Sequence, residues 1–237
     1  MGTIRLDKLL CDLGAASRRE AQKLIRAGRV AVDGRSVTAP ETKLDPSVCT
    51  VTFDGGPLAW KAHHYYMLNK PAGVLTATED KGRKTVMDLV TPEMRRMALF
   101  PVGRLDRDTR GLLLLTDDGE FAHRVISPKS AVEKRYYAKV EGSPTAADAA
   151  AFEEGLVLGD GTKCLPAKLE LLGEGECIVT VTEGKYHQVK RMLASRGCPV
   201  SELKRLSIGA LALPEELAEG AFRELDEEDL CRVFMVR

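Results

Sequence analysis

The 237-residue sequence has no net charge, because Lys+Arg and Asp+Glu are both 35. That balance argues against a polybasic binder held by bulk charge, although a neutral total can hide a basic face. No run approaches the ~18 apolar residues of a membrane span; the densest is Leu112-Leu113-Leu114-Leu115, so no membrane partner is expected. Arg5, Asp7 and Lys8 stand where a signal peptide needs its apolar core. Leu6 stands where a myristoylation signal starting at Met1-Gly2 needs Ser or Thr. Neither leader is therefore expected. The six cysteines (Cys11, Cys49, Cys164, Cys177, Cys198 and Cys231) form no C-x-x-C pair. They read as reduced core thiols, not a disulfide frame or zinc site, and the expected location is the cytoplasm.

Several chemistries are missing as well. There is no G-x-x-x-x-G-K-[ST] loop and no strand-linked G-x-G-x-x-G, so no nucleotide cofactor is expected. G-x-S-x-G is absent, and His63, His64, His123 and His187 show no ligand spacing, so no metal is expected either. A cofactor-free reaction is the simplest reading.

What is present is a globular balance, 44% hydrophobic and 30% charged. The length is about one and a half times the ~150-residue domain prior, which suggests two domains. Gly55-Gly56-Pro57 marks the expected linker, dividing the chain into 1–60 and 61–237.

Leu6, Leu9, Leu10 and Leu13 have the spacing of one buried helix face. Ser17-Arg18-Arg19-Glu20 matches the S-x-x-E capping box of a second helix, with Gly28 as its C′ glycine. At about 100° per residue, Ala21, Leu24 and Ile25 share one side of that helix while Arg19, Lys23 and Arg26 share the other. Arg18 sits at the shoulder and Arg29 just past the end. Asp33-Gly34 between Val30-x-Val32 and Val37 signals a hairpin, followed by a strand at 48–53. Such a basic stripe can simply be a solvated face; it can also meet phosphates from one side. The segment resembles the S-four RNA-binding domain through Arg5-Leu6-Asp7-Lys8-Leu9-Leu10, Ser17-Arg18-Arg19-Glu20-Ala21, Ile25-Arg26-Ala27-Gly28-Arg29-Val30 and Val32-Asp33-Gly34. The resemblance implies RNA contact by Arg5, Lys8, Arg18, Arg19, Lys23, Arg26 and Arg29.

Beyond residue 61, strand-like stretches at 65–68, 74–78, 112–116, 136–141 and 177–182 alternate irregularly with helices at 120–126 and around Val189-Met192-Leu193. The pattern is that of an α+β domain with a mostly antiparallel sheet flanked by helices. The acidic stretch from Glu224 to Asp229 reads as solvated surface. The loop Gly103-Arg104-Leu105-Asp106-Arg107-Asp108-Thr109-Arg110-Gly111 is unusual because two carboxylates and three guanidinium groups lead straight into a buried strand. It is either a self-paired surface turn or a carboxylate kept ionised as nucleophile or base, and spacing does not choose.

Gly103-Arg104-Leu105-Asp106-x-x-Thr109-x-Gly111-Leu112 resembles the signature loop of pseudouridine synthases, whose essential aspartate corresponds to Asp106. Lys134-Arg135-Tyr136 is similar to that family's K-x-Y segment. Glu183-Gly184-Lys185-Tyr186-His187-Gln188-Val189-Lys190-Arg191-Met192 is similar to its third motif, and Met67-Leu68-Asn69-Lys70-Pro71-Ala72-Gly73 to its entry strand. Alone, Tyr136 reads as a half-buried core residue and Lys190 as a solvated lysine. The resemblance implies that Asp106 is catalytic, that Tyr136 packs on the target base, and that Lys190 pairs with Asp106. It leaves Asp108 to structure the loop and Arg104 to shape it or contact phosphate.

The implied activity is isomerisation of a uridine in ribosomal RNA after base flipping, with no cofactor. The size and the 51–58 junction look most like the small-subunit (16S) branch. The sister large-subunit (23S) branch shares the catalytic motifs. A non-catalytic ribosome assembly factor would share the first domain, and a hydrolase pairing Asp106 with Asp108 lacks a second positioned carboxylate. The implied partner is ribosomal RNA or the small-subunit ribonucleoprotein particle. No coiled-coil heptad is evident, so a monomer is expected.

Overall fold

The computed structural model describes residues 3–58 and 60–236. Met1 and Gly2, weighed above as an acylation signal, lie outside the described residues. The chain divides into two compact units, Met1–His64 with Val90–Leu99, and Tyr65–Leu89 with Phe100–Arg237. The segment Val90–Leu99, assigned from the sequence to the larger domain, thus groups with the first unit.

The first unit comprises β1 (Ile4–Arg5), α1 (Leu6–Asp12), α2 (Arg18–Arg26), β2 (Val30–Val32), β3 (Arg35–Ser36), β4 (Lys43–Leu44), β5 (Val51–Phe53), β6 (Gly56–Pro57) and α3 (Pro92–Arg95). Leu6, Leu9 and Leu10 of α1 and Ala21 and Ile25 of α2 are fully buried and pack with Val30, Leu44 and Val51. The Ser17–Glu20 capping box forms as read from the sequence. Asp33 and Gly34 both adopt positive φ, +49° and +77°, which is what a two-residue primed turn needs. Two sequence expectations fail here. Only Val51–Phe53 of the expected strand forms, and Val48 is exposed. The expected linker is instead a second hairpin, because Asp54 and Gly55 take the same positive-φ turn and Gly56–Pro57 pairs back onto Thr52–Phe53.

The second unit comprises β7 (Tyr65–Lys70), β8 (Phe100–Pro101), β9 (Arg110–Thr116), α4 (Gly119–Ile126), β10 (Lys134–Val140), α5 (Ala146–Glu154), β11 (Lys168–Gly173), β12 (Glu176–Val181), α6 (Gln188–Ala194), β13 (Val200–Ile208), β14 (Leu211–Ala212), β15 (Phe222–Glu224) and α7 (Glu227–Val233). The main path of the sheet runs β11-β12-β10-β13-β9-β7-β15. Every pairing along it is antiparallel except the short parallel contact of β13 with β9. Leu112 to Leu115 are at most 1% exposed, each worth ~1.5–3 kcal/mol of burial, so β9 is anchored as the spine of the unit.

One core lies where α5 and α6 meet β10 to β13, and another where α4 and α7 meet β7 and β9. The expected strand at 74–78 does not form. Leu75 makes only an isolated bridge to Thr85, and the Thr76 hydroxyl donates to the Leu105 backbone. Part of the acidic stretch is structural, since Asp226 caps α7 and buried Asp229 accepts from Arg223 at 2.8 and 3.1 Å.

Candidate active site

The Gly103–Thr109 loop leaves β8 and enters β9, so its far end is fixed by the buried leucines. Its near side is stitched to the turn after β7. Gly73 N donates to Arg107 O at 2.8 Å, Arg107 Nε donates to Gly73 O at 3.2 Å, and Thr76 Oγ1 donates to Leu105 O at 2.8 Å. Lys70 lies under the loop with no exposed surface. Its ammonium donates to the carbonyls of Pro71, Asp106, Arg107 and Thr109 at 2.9–3.3 Å. Burial pushes this ammonium down to about 8 against the opposing pull of Asp108 and Asp106. Four convergent carbonyls are the reason a cation persists there at all. Gly111, with φ +100°, ends the loop; a Cβ there would lie 2.2 Å from Arg205 O, so only glycine permits the β9–β13 contact.

The Asp106 carboxylate is partly exposed and faces two cationic or ionisable groups, with His187 Nε2 and Lys190 Nζ each at 3.4 Å. Both come from the start of α6. His187 adopts φ +46° at the N-cap and stacks on Tyr186 at 3.9 Å, which turns its ring toward the loop. Gln188 braces this corner by accepting from Lys185 N and donating to Glu183. Lys190 is bound more tightly to Asp108, at 2.5 Å. That hydrogen bond holds the Asp108 carboxyl below its ordinary value.

Tyr136 stands opposite Arg205 across β10 and β13, at a register shift between Arg135 and Tyr136. Such bulges re-aim side chains beside active sites. Arg205 is 4% exposed. Its Nε donates to Leu112 O at 2.7 Å and its Nη1 to Tyr136 Oη at 3.3 Å, tying the ring to the spine strand. Asp106, Tyr136, Arg205 and His187 line one cavity of about 400 Å³, with Lys134 in its wall and Arg104 at its exposed rim. That volume lies within the ~300–1,000 Å³ of small-ligand sites. A partly exposed carboxylate beside a lysine and a histidine, in one cavity with an aromatic ring, can act as a nucleophile or base on a bound planar ligand.

Residues 64–195 match the RNA pseudouridylate synthase family. The chain belongs to that family. As a pseudouridylate synthase it also carries an S4 domain match over residues 4–48. It is 45% identical to an uncharacterised RNA pseudouridine synthase of Bacillus subtilis over 96% of this chain and 97% of that one. It is 43% identical to the ribosomal small subunit pseudouridine synthase A of Escherichia coli over 97% and 100% of the two chains. A crystal structure of a pseudouridylate synthase superposes with TM-score 0.68 and 35% identity, covering 97% of this chain and 99% of that one.

Of the residues expected from the synthase motifs, Asp106 and Tyr136 line the same cavity, and Lys190, which is not in its lining, is shared between Asp106 and Asp108. Sequence reasoning missed Arg205, Lys134 and His187 as walls of the site and Lys70 as its floor. Arg205 carried a usable signal, a charge on the same strand phase as buried Leu203.

In the S4 unit the expected cations separate into two groups. Arg5 is bound at 3.0 and 2.9 Å by buried Asp7, which Arg18 approaches at 3.7 Å. Lys8 pairs with Asp12 at 2.6 Å, and Arg29 pairs through two hydrogen bonds with Asp54. Arg19, Lys23 and Arg26 form no ion pair among the described residues, and all three are exposed. No helix among the described residues is long and apolar enough to cross a membrane.

Proposed function

We propose that this pseudouridylate synthase isomerises one uridine of small-subunit (16S) ribosomal RNA, working as a cytoplasmic monomer without a cofactor. The observation that carries the reading is that Asp106 and Tyr136 line one cavity of about 400 Å³, with Lys190 paired to the Asp106 carboxylate. The small-subunit target is supported by full-length similarity to the Escherichia coli and Vibrio cholerae proteins named ribosomal small subunit pseudouridine synthase A.

In this reading the S4 unit docks structured RNA through phosphates with Arg19, Lys23 and Arg26, and Arg104 meets the backbone at the cavity rim. The target uridine leaves its stack at a cost of a few kcal/mol. Tyr136 returns ~1–3 kcal/mol by packing against the base. Asp106 then acts on the ribose, either attacking C1′ to form an ester or removing the C2′ proton to form a glycal. The base detaches, turns and rejoins through C5. Lys190 Nζ and His187 Nε2, each 3.4 Å from the Asp106 carboxylate, hold it in place as it acts.

The test is tritium release from RNA labelled at uracil C5, comparing wild type with Asp106→Asn on free 16S RNA, its ribonucleoprotein particle and 23S RNA. Release by wild type alone, from a small-subunit substrate, is expected. Release from 23S RNA would move the chain to the sister branch. No release with RNA binding intact would make it an assembly factor.

A further inference from the structure

We propose that Lys134 and Arg205 together form the site that receives the negative charge of the uracil while it is detached from the ribose. The proposal rests on the isomerase reading above and assigns a role to two cations which that reading does not use.

Strand geometry puts both side chains in the cavity. Lys134 and Tyr136 are two apart on β10 and share a face, and Arg205 on β13 is the cross-strand partner of Tyr136. Lys134 is 7% exposed and Arg205 4%, and both line the cavity that holds Asp106 and Tyr136. Neither has a carboxylate partner among the described residues. The acid in the same wall, Glu183, is occupied by Lys185 at 2.7 Å, Gln188 at 2.8 Å and the Leu165 amide at 2.9 Å. Lys134 Nζ has only a long contact to Thr182 O, 3.5 Å away. Arg205 is held by Leu112 O and reaches the Tyr136 hydroxyl, while its Nη2 is buried with no acceptor. Burial, and then repulsion from Arg205, push the Lys134 ammonium down to about 8. Two buried cations that repel one another, with a donor left over, destabilise the empty site. An anion arriving between them removes that penalty.

The reaction generates such an anion. When the C1′–N1 bond breaks, its electron pair goes to the base. In the ester route an Asp106 oxygen bonds to C1′. In the glycal route Asp106 takes the C2′ proton, and the C2′–H pair becomes the C1′=C2′ double bond. Either way one negative charge leaves Asp106 and one appears on uracil, spread over its ring and carbonyl oxygens. Lys190 and His187 face the carboxylate side, and Lys190 is held also by Asp108, so their contacts with Asp106 weaken as its charge leaves. Only cations on the base side gain in the transition state, and that gain is what accelerates the step. After rotation, C5 bonds to C1′ and its proton leaves as N1 is protonated. Asp106 is restored, by breaking of the ester or by return of the proton to C2′.

Fluorine at C5 makes the uracil anion intrinsically more stable, so a base-side cation matters less for 5-fluorouridine. Single-turnover cleavage of the glycosidic bond is measured on RNA carrying uridine or 5-fluorouridine at the target, by nucleoside analysis after digestion. Lys134→Met is expected to slow the uridine reaction by about 100-fold with RNA affinity little changed, the scale of losing one preorganised donor. The loss on 5-fluorouridine RNA is expected to be at least about tenfold smaller, and Lys134→Arg is expected to recover part of the uridine rate. Lys134→Gln, with melting followed for both variants, covers the case in which methionine disturbs the fold. Equal losses on the two RNAs, or a loss confined to RNA affinity, would overturn the proposal. If wild type isomerises neither RNA, the isomerase reading itself fails, which is a separate outcome.

Discussion

Lys190 Nζ lies 2.5 Å from Asp108 Oδ1, closer than its 3.4 Å approach to Asp106. The lysine is therefore shared, and its shorter bond goes to a carboxylate whose side chain is 75% exposed. An exposed ion pair is worth ~0–1 kcal/mol, so Asp108→Asn should change turnover by no more than about fivefold. Asp106→Asn should abolish it. Lys190→Met should raise the Asp108 pKa toward its ordinary value, because the Lys190 hydrogen bond is the main cause of its depression. Carboxyl NMR titration of the variant against wild type checks this, and an unmoved Asp108 would refute the shared arrangement.

Lys70 supports the same loop from below. Replacing it with methionine leaves the carbonyls of Pro71, Asp106, Arg107 and Thr109 without that donor. Each buried carbonyl deprived of its donor costs ~1–3 kcal/mol, so Lys70→Met should destabilise the protein by about 3 kcal/mol or more. Surviving folded protein should bind RNA but turn over slowly, because the backbone that aims Asp106 is loosened. Thermal unfolding and single-turnover rates measure the two effects separately.

Asp7 governs the first unit. It is fully buried, and its hydrogen bond from Arg5, reinforced by Gln22, holds its carboxyl far below the usual carboxylate range. A depressed folded-state value means the unfolded chain binds the proton more tightly. The stabilisation is thus complete above pH ~4 and is lost as pH falls through the folded value. Asp7→Asn should cost about 1–3 kcal/mol at pH 7 and progressively less below pH ~4. The chain has a single tryptophan, and Trp60 packs against this unit's core, so its fluorescence reports the transition in urea.

Arg19, Lys23 and Arg26 are free to meet phosphate, whereas Arg5 and Arg29 are neutralised by Asp7 and Asp54. Changing the three free cations to glutamine should weaken 16S RNA binding and lower the steepness of log Kd against log salt by about 2–3. Arg5→Gln or Arg29→Gln should each lower it by less than about 1. Equal slopes for all variants would remove the α2 stripe from the interface.

The local features were legible in the sequence because short-range chemistry sets them. The Ser17–Glu20 cap, the Asp33-Gly34 turn and the buried leucines of β9 each depend on residues within one element. The ordered motifs likewise drew attention to Asp106, Tyr136 and Lys190. Only the tertiary structure decided what surrounds them. Lys70 reaches carbonyls up to 39 residues away, and Arg205 reaches Leu112 across 93. The Asp54-Gly55 turn makes a hairpin of an apparent linker, and Asp7 and Asp54 neutralise cations that the sequence left free. A cation's meaning depends on which acceptors the fold brings to it, because the strength of a charge is set by burial and partners that are distant along the chain.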